Sequence, residues 1–227
     1  MNTRILATLA AASGLVSAAS MNAQELAYSV SYGIESEYVF RGVEIASESL
    51  QGSIEATYGD GYIGVWANEA LDDFGSNASE FDFYAGWGYA LNDAVTLDFG
   101  GTLYHYPDFK GDDTFEAYVG AAFDTALAPS LYVYHDFDLD AFTFEGSIGH
   151  SVDVTEVSRV DLGLTAGYVD FDNAGHYAYY GATADYVYTL SDNTDVAVGV
   201  RYSTNDKDLG FSPDGNLWGG LSFSHSF

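Results

Sequence analysis

Cysteine is absent from this 227-residue sequence and basic residues are scarce: six Lys+Arg stand against 34 Asp+Glu. Without thiols there is no disulfide framework, no thiolate nucleophile and no cysteine metal ligand. A formal charge of −28 excludes nucleic acid as a partner, because phosphate binding needs a basic surface. Long apolar runs are missing after the first two dozen residues, so none of the remainder reads as a transmembrane helix, which needs about 20 such residues. Proline (3) and methionine (2) are rare, whereas tyrosine (19), phenylalanine (15) and glycine (25) abound. Aromatics and glycines without apolar runs point to many short strands.

The opening stretch, MNTRILATLAAASGLVSAASMNAQEL, stands apart. Arg4 supplies a positive start, Ile5 to Val16 an apolar middle, and small residues from Ser17 to Ala23 a cleavage zone. This is the pattern of a signal peptide, with cleavage after Ala19 or Ala23. The expected organisation is a leader over 1–23 and one exported domain over 24–227. That domain carries five Lys+Arg against 34 acids, a charge of −29.

Period-two alternation governs the rest. Val160, Leu162, Leu164, Ala166 and Tyr168 share one face, opposite Arg159, Asp161, Gly163, Thr165 and Gly167. In a strand, successive side chains point to opposite faces. The same pattern predicts about twelve strands, near 27–41, 48–58, 61–68, 80–91, 93–106, 113–124, 129–137, 140–150, 157–171, 177–190, 193–205 and 216–227. Tight turns (GDG at 59–61, LND at 91–93, SDN at 191–193) alternate with longer links such as 69–79 and 205–215. Roughly ten-residue alternating segments, with short turns at one end and long loops at the other, form the signature of a transmembrane antiparallel up-and-down β-barrel. A soluble β-sandwich would alternate too. Two features favour the barrel. Aromatics fall on the apolar face near strand ends (Tyr28, Tyr58, Phe81, Tyr89, Phe142, Tyr168, Tyr188, Tyr202), as interfacial girdles require. The chain also ends LWGGLSFSHSF, where Phe223 and the terminal Phe227 resemble the signal read by the outer-membrane barrel assembly machinery.

The N-terminal third carries a resemblance as well. Ser29-x-Ser31-x-Gly33, then Ser36 and Tyr38 leading into Phe40-Arg41-Gly42, precede Gln51-Gly52 and Gly61-Tyr62-x-Gly64-x-Trp66-Ala67-Asn68. Together they resemble the TorF-type porin family of outer-membrane proteins. The resemblance implies a channel-like role in a Gram-negative outer membrane, with no defined substrate to carry over. It covers the first third by motif and the remainder by architecture.

If strand one runs to residue 41, Arg41 shares parity with Ser29, Ser31, Gly33, Glu35 and Glu37, and faces the lumen. Arg159 and Arg201 fall on polar faces too, with Glu55, Asp82, Asp98, Glu116, Glu145, Asp161 and Asp185. Such arginines either brace the wall by pairing with carboxylates or line a pore whose surplus negative charge favours cations. Twelve strands leave a narrow aqueous passage unless loops fold in. Inward glycines such as Gly86, Gly100, Gly120 and Gly167 are expected to widen it unless they mark close packing or curvature, and inward Tyr84, Tyr104, Tyr118 and Tyr179 to narrow it.

Other chemistry is thin. The five histidines (His105, His135, His150, His176, His225) lack ligand spacing, and DFDLDA at 136–141 lacks the turn glycine and distal glutamate of a calcium loop. The acids of the loops (Asp72, Asp73, Asp112, Asp113, Asp206, Asp208) read as solvated surface, the alternative being divalent ions held against anionic lipid headgroups. His150-Ser151 resembles the Ser-His pair of barrel phospholipases, but neighbours in a strand point apart. The expectation is therefore a cofactor-free, metal-free, non-enzymatic porin: outer-membrane lipid outside, small solutes or cations inside. Its alternatives are a closed structural or surface-binding barrel acting through its loops and, further off, an outer-membrane lipase. Oligomeric state is not legible.

Overall fold

The computed structural model describes residues 26–71, 79–107, 112–172, 174–207 and 215–227. The leader and both cleavage points lie outside them, as do Asp72, Asp73 and Asp208. Fourteen strands follow one another: β1 (Leu26–Glu35), β2 (Tyr38–Phe40), β3 (Val43–Ala46), β4 (Ser49–Tyr58), β5 (Gly61–Ala70), β6 (Glu80–Asn92), β7 (Val95–His105), β8 (Thr114–Phe123), β9 (Ser130–Asp136), β10 (Ala141–Thr155), β11 (Ser158–Phe171), β12 (Gly175–Ser191), β13 (Thr194–Asn205) and β14 (Asn216–Ser226). Twelve of them form a closed antiparallel barrel in which β1 pairs with β14 on one side and β4 on the other. Closure leaves no unpaired edge, the condition for crossing a lipid phase with strands. No helix among the described residues is long and apolar enough to cross a membrane.

Alternation decides which side each residue takes. Leu131, Val133, Leu162, Leu164, Val198, Val200 and Leu217 project outward, with Leu217 72% exposed. Every aromatic assigned to the girdle lies exposed on that surface too. Charged and hydroxylated residues turn inward: Asp98 and Glu116 are each 2% exposed, and Asp161, Asp185 and Arg201 are buried with them. Such an inside-out distribution suits lipid outside, where an arginine would cost about 2–4 kcal/mol at mid-depth and an acid less. It rules out a sandwich around an oily centre.

The links 59–60, 93–94, 124–129, 156–157 and 192–193 gather at one end, and the generally longer ones at the other. At the short end, Gly59 adopts φ 56°, a left-handed conformation that favours glycine. The DFDLDA segment closes β9 to β10: Asp136 Oδ1 accepts the backbone N–H groups of Asp138 and Leu139 at 2.9 and 2.8 Å, holding a turn. His150 is exposed outside while Ser151 Oγ donates inward to Asp161 at 2.6 Å, so the two point apart.

One boundary departs from the sequence reading. Strand one ends at Glu35, not 41. Residues 38–46 form a separate two-stranded hairpin, β2–β3, which pairs with no barrel strand. Arg41 and Glu37 therefore do not belong to the wall, and the parity argument does not apply to either. Alternation is a rule within one strand, and here the chain leaves the strand at Ser36.

Candidate functional site: the lumen and its inserted hairpin

The hairpin enters the barrel from the long-loop end. The Ser36 N–H donates to Gly219 O at 2.9 Å and the Gly219 N–H to Ser36 Oγ at 3.1 Å, which pins the exit from β1. Phe40 then pairs with Val43 across a two-residue turn formed by Arg41 (φ 47°) and Gly42 (φ 80°). Positive φ at both central positions defines the tight turn favoured by β-hairpins, usually Asn-Gly or Asp-Gly. An arginine there carries about 1–2 kcal/mol of backbone strain.

Contacts across the lumen offset that strain. Arg41 reaches Glu116 on β8, nearly opposite β1 in the barrel, through two hydrogen bonds of 2.7 and 2.9 Å. Glu116 also accepts from Tyr104 Oη at 3.0 Å. The guanidinium lies over the rings of Phe40 and Tyr134, 4.7 and 4.8 Å from their centroids. Asn205 Nδ2 donates to Gly42 O at 2.7 Å, and Asn216 Nδ2 donates to Glu37 at 2.8 Å and Glu44 at 3.0 Å. Tyr38 packs on Trp66, Phe40 on Tyr104, and Val43 against the Val169–Tyr177–Tyr179 cluster. Tyr38 is 1% exposed and Ala46 0%. Walls on every side thus hold the hairpin, and it fills this half of the lumen.

Toward the short-turn end, tyrosines bridge the wall. Tyr62 on β5 lies over Gly86 on β6 and donates to Asp98 on β7 at 2.8 Å. Tyr132 on β9 crosses Gly120 on β8 to the other Asp98 oxygen at 3.1 Å. Tyr84 crosses Gly64 to Glu55 at 3.1 Å and, beside the hairpin at the other end, Tyr179 crosses Gly167 to Glu145 at 2.5 Å. Tyr118 covers Gly100 and meets the Tyr62 hydroxyl at 2.5 Å. At these positions glycine does not widen the lumen but marks close packing; each accepts a ring laid along the wall. One tyrosine length spans the two strand spacings, about 4.8 Å each, that separate its Cα from the acceptor strand.

The remaining arginines brace the interior. Arg201 Nη2 donates to Asp185 at 3.0 Å and lies 3.4 Å from Glu35. Arg159 Nε faces Asp161 at 3.0 Å, and its Nη1 faces Asp195 at 3.1 Å. Among the described residues no salt bridge joins Glu55, Asp82, Asp98 or Glu145 to a cation; three of them accept tyrosine hydrogen bonds instead. A cavity of about 10 Å³, the size of one water, sits between Glu35, Glu37, Tyr38, Val39, Gln51, Arg201 and Trp218. Sequence reasoning missed Tyr132, Tyr134, Asn205 and Asn216; of these Asn205 shares parity with Arg201, which it had turned inward, and Asp195 on the same face was given no partner. Trp66 stood in the quoted motif without a role. Its role is to seat Tyr38. Phe223 and Phe227 lie outside, Phe223 stacked on Tyr32 at 5.4 Å.

Residues 18–129 match the model of the Gcw_chp family, described as a bacterial protein of unknown function. The match spans slightly less than half of the chain and contains the hairpin, Trp66, Tyr104 and Glu116. Comparison with curated protein sequences found no significant match. Among solved structures, the KdgM porin superposes with a TM-score of 0.61 at 13% identity, covering 88% of this chain and 99% of its own. The NanC porin gives 0.53 at 11%, covering 88% and 98%. An outer membrane channel from Pseudomonas putida F1, COG4313, gives 0.53 at 13%, covering 89% and 95%. At such identities the likeness is one of fold.

Proposed function

We propose that this chain is a TorF-type outer-membrane channel through which small solutes diffuse, selected by size and charge. The observation that carries this reading is the inverted polarity of a closed twelve-stranded barrel, apolar outside and charged within. The fold shared with KdgM, NanC and the Pseudomonas channel supports it. Residues 1–23 act as a cleaved leader, residues 24–227 form the barrel, and Phe223 and Phe227 present the assembly signal to the barrel assembly machinery. Glu35, Glu37, Glu55, Asp82, Asp98, Glu116, Glu145, Asp161 and Asp185 line the pathway with Arg41, Arg159 and Arg201. All three arginines are neutralised by carboxylates, so the surplus is negative and cations pass preferentially. The pathway needs no reaction step and no cofactor.

Folded protein in planar bilayers is expected to give discrete conductance steps, and a KCl gradient a cation-selective reversal potential. Anion selectivity would remove the charge argument. Silence from both the full chain and a chain without its hairpin would remove the channel. A second reading, a permanently plugged barrel acting through its loops, is favoured by the near-complete burial of Tyr38 and Ala46. The hairpin-deleted protein separates the two.

A further inference from the structure

We infer that the β2–β3 hairpin is a displaceable gate and that the Arg41–Glu116 ion pair is its latch; this rests on the channel reading above. Four observations converge on it. First, the hairpin is built to move as a unit: β2 and β3 pair only with each other. Its two roots are fixed by backbone bonds, Ser36 N–H to Gly219 O at 2.9 Å and Leu71 N–H to Glu48 O at 2.7 Å. Between those roots it meets the wall through side chains, the Asn205–Gly42 bond included. Swinging out breaks no strand ladder.

Second, the contact at its tip is an ion pair and stands opposite its roots. The bidentate guanidinium–carboxylate pair joins residues 75 apart in sequence, with side chains only 11% and 3% exposed. At that burial salt screens it little. Third, Arg41 is held in a left-handed backbone that asparagine or glycine would adopt with less strain. Strain of this kind persists only where surrounding structure imposes it, and it gathers at switches and clamps. The side chain, not the turn, requires arginine here. Fourth, Glu116 is prepared for its partner: Tyr104 holds one carboxylate oxygen, while Phe40 and Tyr134 sandwich the guanidinium. Glu116 without Arg41 would be a charge on the wall of an open passage; Arg41 without Glu116 would be an unpaired cation in a closed one.

Single-channel recording on four proteins tests this, each first checked for the folded state by its heat-modifiable gel mobility. They are the wild type, Glu116→Gln, a chain with 38–46 replaced by a short Gly-Ser link, and the double variant Arg41→Cys/Glu116→Cys. The chain has no native cysteine, so a reducible bis-thiosulfonate spacer bridges only the two introduced thiols. The loop-replaced chain is expected to conduct continuously. Glu116→Gln should raise the open fraction at least about tenfold, well within the effect of removing one partner of a buried charge pair. The double variant should be open before bridging, closed after it and open again on reduction. If the loop-replaced chain conducts but bridging leaves the double variant unchanged, the hairpin is a fixed constriction: the gate is overturned and the channel stands. Silence from the loop-replaced chain overturns both. Should Glu116→Gln fail to fold, the bridged and unbridged states of the double variant still decide.

Discussion

Replacing Gly120 by alanine adds one methyl group to the inner wall at a place already taken by a ring. A Cβ built there meets Cδ1, Cε1 and Cγ of Tyr132, so the ring must leave. Its departure breaks the Tyr132–Asp98 hydrogen bond, and a bond to a charged acceptor contributes about 1.5–3 kcal/mol. Any ring that stays overpacks the wall at about 1–3 kcal/mol. Against this, glycine to alanine reduces the freedom of the unfolded chain and gains about 0.4–1 kcal/mol. The net expectation is a loss of about 0.5–2.5 kcal/mol. With a urea slope of about 1–3 kcal/mol per molar, the unfolding midpoint should fall by roughly 0.5–1 M. Gly149 is the matched control: it faces inward too, but a Cβ there meets only Leu162 O at 3.6 Å, an ordinary contact. Gly149→Ala should be neutral or slightly stabilising. Tyr132→Val in the Gly120→Ala background should make the two losses less than additive, because one change relieves the other. Equal midpoints for Gly120→Ala and Gly149→Ala would refute the ring-over-glycine account of the wall.

Further outcomes follow from other parts of the molecule. Arg201→Met strands Asp185 and Glu35 without their cation and should cost about 3–5 kcal/mol in the same unfolding assay; Asp185→Asn should recover part of it. Asp113, in the loop before β8, is held below the usual carboxylate range, first by its bond to His105 and then by the Tyr106 N–H. Its depressed value means the interaction is present above the ordinary aspartate pKa, about 3.9, and is lost as pH falls through the lower folded value. A carbon-detected NMR titration of wild type against His105→Phe should show the value rise in the variant; no movement would unseat the pairing. Removing residues 38–46 uncovers Trp66 and Trp218, so fluorescence should shift to longer wavelength; an unchanged spectrum would mean the hairpin does not cover them. Phe227 is 70% exposed, so Phe227→Ala should leave the folded barrel within about 0.5 kcal/mol of wild type while slowing its assembly in cells. A stability loss well beyond that would make the residue structural.

Much of this architecture could be read in the chain. Strands 49–58, 61–70, 80–92 and 158–171 lie within about two residues of the segments drawn from alternation. Their faces follow as well, because a side-chain period of two is a local property of extended backbone. Asp98, Asp161, Asp185 and Arg201 were found inward for that reason. Tyr62, Gly64, Trp66 and Asn68 belong to one motif, but the motif alone does not say that they share an inner surface. Which tyrosine lies over which glycine depends on the stagger between neighbouring strands, and alternation is silent on stagger. Tyr132 meeting Asp98 needs β7, β8 and β9 in register.

Residue type at alternate positions by itself determined an inside-out barrel, because lipid and water sort side chains strand by strand. Only closure of the barrel decided what occupies its interior. Arg41 and Glu116 lie 75 residues apart and become partners when β8 comes round opposite β1. A strand-length pattern carries no information about what stands across a lumen, so the chain could show that Arg41 was unusual while the folded wall alone supplied the carboxylate that explains it.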